Sequence, residues 1–378
     1  MKRTTANWTG IRGVPKATTD KKLEACSKRD FFKLSEPDLK LILESAGFER
    51  YRASQIFDAV YKKKIFNPAD FPSIPAKLKS YLSGNFEFAV AKLIGGRESE
   101  DETKKYLLEL SDGARVECVL IKAPSEDGKD RKTLCLSTQV GCACACKFCA
   151  SALGGFVRNL SSSEIVSEAL PFVKDAKFEF ENIVVMGMGE PLMNMDNLLA
   201  ALNVFNSPEK FAFGARRITV STCGIADKIE KLAEEKFPFR LAISLHGATD
   251  EVRRKIMPIT NKFPLKRLIA AAEKFAASCG RMITLEYILI DGINDSFAQA
   301  NELAKIARRL HAHVNLIPYN NVEGLNWKRS DAGRRAAFAS ILKKAGIAHT
   351  IRREKGKEID AACGQLALRG RRAAAVGR

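Results

Sequence analysis

From Glu36 to about Phe88 apolar residues recur at helical spacing: Leu39, Leu41, Ile42 and Leu43 precede Gly47, and Ile56, Phe57, Val60 and Tyr61 share one face of the next segment. Pro68, Pro72 and Pro75 punctuate a last short helix. Past Gly95 and Gly96 the period changes, and the stretch Tyr106 to Ile121 alternates around the turn pair Asp112-Gly113, which predicts a hairpin. Strand-like runs then alternate with amphipathic ones. Strands are predicted at Thr133 to Ser137, Asn182 to Gly187, Arg217 to Thr222, Arg240 to Leu245, Met282 to Ile290 and His313 to Ile317, with a final one near Ile347 to Ile351. Helices are predicted at Ser163 to Val173, Ala226 to Glu235, Leu265 to Ala277 and Phe297 to Leu310, and Ser161 with Glu164 predicts a capping box. This alternation predicts an α/β fold with parallel strands and helical crossovers; six or seven units make a barrel or an open barrel.

The pattern divides the chain into a basic arm over 1–35, a small helical accessory domain over 36–95, a β-hairpin linker region over 96–131, a strand-helix barrel over 132–366 and an Arg- and Ala-rich basic tail over 367–378. Few apolar anchors accompany Lys2, Arg3, Arg12, Lys16, Lys21, Lys22, Lys28 and Arg29, so little fixed structure is expected in the arm.

With 46% hydrophobic and 28% charged residues in 378, the chain can bury a large core. It holds no run of about 18 or more uncharged apolar residues, and its N-terminus lacks an apolar leader, so a soluble cytoplasmic protein with no membrane partner is expected. Lys and Arg total 62 against 44 Asp and Glu, a formal charge of +18, which favours a polyanionic partner, first of all RNA or DNA. A merely solvated basic surface is the alternative, and it applies equally to the cluster Arg50, Arg52, Lys62, Lys63 and Lys64. Ten Cys without an export signal argue for metal or thiol chemistry over a disulfide framework. Cys26, Cys118, Cys223 and Cys279 stand alone and read as buried small hydrophobes.

In a parallel barrel the loops after the strands form the active face. The first predicted strand runs into Gly-Cys-Ala-Cys-Ala-Cys-Lys-Phe-Cys, the second into Met-Gly-Met-Gly-Glu-Pro, the third into Ser221-Thr222, the fourth into Ser244-Leu245-His246 and the sixth into Pro-Tyr-Asn-Asn. Cys142, Cys146 and Cys149 form a C-x3-C-x2-C triplet; three thiolates on a [4Fe-4S] cluster leave one iron open to a ligand. With Cys144 the same loop would make a four-Cys zinc knot, so both centres stand on spacing alone. Glu190 equally suits a helix cap, and His246 a satisfied core histidine.

The triplet, with Phe148 before its last Cys and Met-Gly-Met-Gly-Glu-Pro after the next strand, resembles the radical S-adenosylmethionine (SAM) superfamily. The segments 133–142 (Thr-Leu-Cys-Leu-Ser-Thr-Gln-Val-Gly-Cys), 154–160 (Gly-Gly-Phe-Val-Arg-Asn-Leu), 243–246 (Ile-Ser-Leu-His) and 359–366 (Ile-Asp-Ala-Ala-Cys-Gly-Gln-Leu) resemble the RlmN family, from roughly Glu36 to Leu366. The resemblance implies a partial (β/α)6 barrel with a small helical N-terminal domain and a β-hairpin extension, and an enzyme that methylates C2 of an adenine in 23S ribosomal RNA and in transfer RNA. It implies a monomer that takes electrons from an external donor and uses a [4Fe-4S] cluster and two SAM per turnover.

Set on these residues, the resemblance gives Cys142, Cys146 and Cys149 to the cluster, and Gly189, Glu190, Ser221, Ser244, Leu245, His246 and Asn320 to SAM. It makes Cys363 the methyl carrier, Glu117 the base that takes the C2 proton, and Cys135 the thiol that releases a covalent protein-RNA intermediate. By pattern alone Glu117 would be a solvent-facing strand residue. Arg352, Arg353, Lys355 and Lys357 join the earlier basic cluster as candidates to grip phosphates. Two rivals remain open: the sister Cfr group, which methylates C8 of the same adenine, and a non-enzymatic zinc-knot RNA-binding protein, which would be colourless where a cluster protein is brown.

Overall fold

The computed structural model describes residues 28–88, 91–124, 130–322, 325–352, 356, 359 and 364–366. Most of the basic arm, Cys26, Arg353, Lys355, Lys357, Cys363 and the tail lie outside the described residues.

A ten-stranded sheet organises the chain, each strand hydrogen-bonded to the next in sequence. The strands are β1 Ala91–Glu98, β2 Lys104–Leu110, β3 Arg115–Pro124, β4 Asp130–Cys135, β5 Asn182–Val185, β6 Ile218–Thr222, β7 Arg240–Ser244, β8 Thr284–Leu289, β9 His313–Pro318 and β10 His349–Ile351. β1 to β4 pair antiparallel. β4 to β10 pair parallel, with six helical crossovers between them. Parallel strands covered on both faces need apolar residues on both, and in β7 Leu241, Ala242 and Ile243 are all buried. This is the expected α/β partial barrel, with a short seventh strand at its edge.

The predicted helices form at Ala226–Glu234, Leu265–Cys279 and Phe297–Arg309. The one expected over 163–173 is shorter, Ser162–Ser167, because Pro171 supplies no N–H to continue it and the chain tightens into a 3-10 turn at Leu170–Phe172. Its capping box forms: Ser161 Oγ accepts from Glu164 N and Glu164 accepts from Ser161 N. Helices Met195–Asn206, Asp250–Ile256 and Ala332–Lys344 were not foreseen. Nor was β1, inside which Gly95 and Gly96 sit beside a register shift rather than in a linker.

The helical region has Glu36–Ser45, Arg52–Phe57 continuing into a π turn at Asp58–Lys62, and Ala76–Asn85. Phe31, Phe57, Tyr61, Phe71, Phe86 and Phe88 fill its interior, with Phe31 stacked on Phe88 at 4.4 Å between ring centroids. The ring cluster continues into the barrel through Tyr61 edge-on to Phe211 at 5.2 Å and Phe211 edge-on to Phe178 at 5.0 Å. One core therefore spans both regions. No helix among the described residues is long and apolar enough to cross a membrane.

Candidate active site

At the carboxyl ends of β4 to β9 lies a cavity of about 1100 Å³, its open mouth included. Two glycines shape its wall. A Cβ on Gly187 would stand 2.6 Å from Ser137 Oγ, and one on Gly189, at φ +101°, would stand 2.6 Å from Gln139 Cβ. The Met-Gly-Met-Gly-Glu turn thus lies flat against residues 136–139, which any side chain would prevent.

Cys142, Cys146 and Cys149 all line the cavity. Their loop is fixed from outside: Cys142 N donates to Gly155 O at 3.0 Å and Lys147 N to Ile256 O at 2.9 Å. A hydrogen bond to Cys144 and burial push the Cys142 thiol up, and burial pushes Cys146 and Cys149 up. Thiols held protonated in this way become thiolates only beside a strong positive centre, which suits iron. Cys144 lines the cavity too, but its Sγ meets Cys223 Sγ at 3.3 Å, and with Glu190 these two form a buried trio within 4.8 Å. Cys223 is therefore not a solitary hydrophobe but the partner of the fourth Cys in the loop, while the buried Cys118 thiol donates to Glu168 O at 3.7 Å. The donor set fits a centre with three thiolates on the cavity side.

Glu190 is 3% exposed. Its carboxylate accepts from Leu192 N at 3.0 Å, Thr222 Oγ1 at 2.7 Å and Cys223 N at 2.6 Å, so it caps the 3-10 turn Pro191–Asn194 and faces the cavity at once. Burial pushes its pKa up against those donors. The Cys223 thiol donates to it as well, so four donors hold the carboxyl group in place at the cavity wall. Ser221 and Ser244 line the cavity from the ends of β6 and β7.

His246 follows in the left-handed region at φ +54°. Its Nδ1 accepts from Ile288 N at 3.1 Å, which places the proton of the neutral ring on Nε2. Burial first, then the positive charge of Arg253, pushes its pKa down to about 3. Phe148 packs edge-on at 4.8 Å. His246 is thus both a satisfied buried histidine and a cavity wall.

Leu245 does not belong to that wall. Its side chain is buried in the core, its N donates to Glu286 O and its O accepts from Arg253. Asn320, past the end of β9, is buried but also off the lining, and its Oδ1 accepts from Arg329 at 3.3 Å.

Cys135, at the end of β4, lines the cavity with Gly364 and Leu366, and it shares one buried cluster with Leu366, Val119, Met188 and Ile359. Gly364 and Leu366 are tied to the helix after the cysteine loop: Ala150 N donates to Gly364 O at 2.7 Å and Ser151 Oγ to Leu366 O at 2.5 Å. Glu117 is buried, not solvent-facing, and pairs with Lys105 at 3.1 Å. Val119 pairs with Cys135 across β3 and β4, and strand alternation puts Glu117, Val119 and Ile121 on one face, of which Ile121 reaches the cavity.

One charged cavity residue escaped the sequence reading, and another was placed elsewhere by it. Glu286, on β8, is buried there and accepts from Asn315 at 2.9 Å. Its neighbours in sequence are apolar, and no motif marks it. Arg352 lines the same cavity rather than standing on the outer surface. The other basic candidates are largely engaged locally: Arg50 with Glu44, Arg52 with Glu49, Lys62 with Asp58, and Lys64 over the Phe178 ring at 5.4 Å.

A family described as the radical SAM superfamily matches residues 136–304. The chain is 53% identical over 340 residues to a probable dual-specificity RNA methyltransferase RlmN 3 of Opitutus terrae, which covers 86% of this chain and 91% of that protein. It is 41% identical over 343 residues to the RlmN counterpart of Thermotoga maritima, covering 90% and 98% respectively. Among solved structures, a radical SAM methyltransferase from Sphaerobacter thermophilus superposes with a TM-score of 0.84 at 38% identity, over 89% of this chain and 99% of that one.

Proposed function

Because this chain belongs to the RlmN family of SAM-dependent radical SAM RNA methyltransferases, with a [4Fe-4S] cluster and SAM as its cofactors, we propose that it methylates C2 of an adenine in 23S ribosomal RNA and in transfer RNA. The family overturns the zinc-knot alternative, and the turn of Cys144 toward Cys223 agrees. Bound together, the cluster and SAM supply an electrophilic methyl group and a 5'-deoxyadenosyl radical that takes hydrogen from it, one SAM for each task and the electron from an external donor.

Cys142, Cys146 and Cys149 hold the cluster. Gly189, Glu190, Ser221, Ser244 and His246 surround SAM, with Glu190 setting its carboxylate beside the ammonium and His246 offering its Nε2 proton. Leu245 and Asn320 act from behind the wall, Leu245 through its backbone and Asn320 through Arg329.

Cys363 takes the methyl group on its sulfur. After that carbon has joined the adenine ring, the ring carbon's proton passes to Glu117, the adduct's unpaired electron would return to the bound cluster, and the Cys135 thiolate attacks the Cys363 sulfur. The carbon-sulfur bond breaks, a Cys135-Cys363 disulfide forms, and the pair of electrons stays with the RNA methyl carbon, which takes a proton. The observation that carries this reading is that Cys135 and the segment 364–366 line one cavity with the three cluster cysteines. The target base, unreachable in a stack, has to be splayed into the mouth by a monomeric enzyme gripping phosphates outside.

The test is mass mapping of RNA after incubation with the reconstituted enzyme, SAM and reductant. 2-Methyladenine is expected. 8-Methyladenine would move the chain to the Cfr chemistry, and no methylated adenine in either RNA would overturn the proposal.

A further inference from the structure

Arg253 is the largest fully buried side chain among the described residues, at 0% exposure. Its guanidinium makes no ion pair among them; every contact is to a neutral oxygen. Nε donates to Leu245 O at 3.0 Å, Nη1 to Thr260 Oγ1 at 2.8 Å, and Nη2 to Cys223 O at 2.6 Å and Ser244 O at 3.4 Å. The Asp250 carboxylate acts on it only through space, and a guanidinium buried without a direct ion pair is costly, so such a charge persists where something further beside it is negative.

The backbone is cut to fit it. A Cβ on Gly247 would stand 2.7 Å from Arg253 Cα, and one on Gly224, at φ +99°, would stand 3.3 Å from Nη2. These glycines lie just past β6 and β7, the strands whose ends carry Ser221, Ser244 and His246. The charge lies directly behind the cavity wall: Nη2 sits on the carbonyls of Cys223 and Ser244, and both residues line the cavity.

We propose that Arg253 is the buried counter-charge of the cofactor site, a positioning residue that ties the ends of β6 and β7 and raises the reduction potential of the cluster. Three thiolates outweigh the charge of the cluster core, and one-electron reduction adds a further negative charge; a fixed cation behind Cys223 and Ser244 favours the reduced form over the oxidised one. The inference rests on the cluster being held by Cys142, Cys146 and Cys149.

The experiment is an EPR-monitored redox titration of the reconstituted full-length protein, without RNA. Thr260→Asp puts a carboxylate against Nη1, cancelling the charge while keeping Arg253 in place; Thr260→Asn is the neutral control of the same shape. Thr260→Asp is expected to lower the reduction equilibrium constant at least tenfold, about 59 mV for one electron, with Thr260→Asn unchanged. Arg253→Gln should lower it similarly and Arg253→Lys should preserve it. If Arg253→Gln does not hold the cluster, Thr260→Asp decides. A wild-type potential in Thr260→Asp with iron retained would overturn the proposal, as would Arg253→Lys behaving like Arg253→Gln. Iron that survives in Cys146→Ala would instead sink the ligand assignment beneath it, so the two failures are distinct.

Discussion

Around the barrel cavity, ionisable groups are buried and held largely by backbone: Glu190 by Leu192 N, Cys223 N and the Thr222 hydroxyl, neutral His246 by Ile288 N, and Arg253, behind the wall, by three carbonyls. In the helical region the charges lie outside and pair with neighbours a turn away, Lys40 with Glu36 at 2.7 Å and Lys62 with Asp58 at 2.6 Å, while the inside is rings. Exposed pairs of that kind contribute about 0–1 kcal/mol each. A buried group fixed by backbone cannot be changed without disturbing the loop that holds it. The barrel thus uses polar residues to define a site, and the helical region uses apolar ones to attach itself.

The contrast is sharpest for the thiols. Replacing Cys142, Cys146 or Cys149 by Ala should abolish iron binding altogether in anaerobically purified protein. Cys144→Ala should keep it, because that Sγ faces Cys223. Iron loss in Cys144→Ala would make the loop a four-thiol site.

On the helical side the largest effect should come from a ring. Phe31, 0% exposed and in contact with Phe57, Tyr61 and Phe88, should cost about 3–5 kcal/mol when cut to Ala. Denaturant unfolding of the apoprotein would measure it. A loss under about 1 kcal/mol would show that the ring cluster does not attach this region.

How far the two regions were legible follows from the same physics. Parallel strands read as apolar runs, and Cys-x3-Cys-x2-Cys, Met-Gly-Met-Gly-Glu-Pro and Ser-Leu-His are local motifs, so most of the cavity wall was visible in the sequence. β1 was not, since almost all of its residues are exposed and leave no alternation. Helix Ala332–Lys344 buries only Phe338, Ala339 and Leu342 and gives a faint stripe. The Cys144–Cys223 contact joins residues far apart in sequence, and Arg253, beside Arg254 and Lys255, looks like any basic helix face until the fold buries it. Glu117 misled in the other direction, because Lys105 on β2 covers it.

Two buried bases give a smaller, pH-dependent test, one in each region. Lys210 joins the helical region to the barrel, donating to Phe32 O at 2.9 Å, and burial pushes its pKa down to about 8 from 10.5. Between these values the unfolded chain holds a proton that the folded one has lost, so its contribution to stability rises with pH through that window and is lowest below about 8. Lys210→Met should be more stable than wild type near neutrality, with the advantage shrinking toward pH 10.5. His246 behaves alike in acid: stability should fall as pH drops from 6.5 toward 3, since the unfolded imidazole protonates first. A Lys210→Met advantage that does not vary with pH would refute the first; acid unfolding unaltered in His246→Gln would refute the second.

The finest distinction lies within the basic run itself. Lys62 is exposed but paired with Asp58, whereas exposed Lys63 makes no ion pair among the described residues. A phosphate contact displaces condensed counter-ions, and each one adds about 0.7–0.9 to the slope of log affinity against log salt. A lysine already neutralised by its neighbour has less to give to phosphate and must first leave its partner. If this face grips RNA, Lys63→Ala should reduce the slope by nearly one such contact and Lys62→Ala by distinctly less, while both leave unfolding stability within about 0.5 kcal/mol of wild type. Asp58→Ala, which frees Lys62, should steepen the slope. Salt titrations of RNA binding by the three variants would settle it: no change in any of them would return this face to a solvated surface, and equal losses from Lys62 and Lys63 would show that the pair with Asp58 opens on binding.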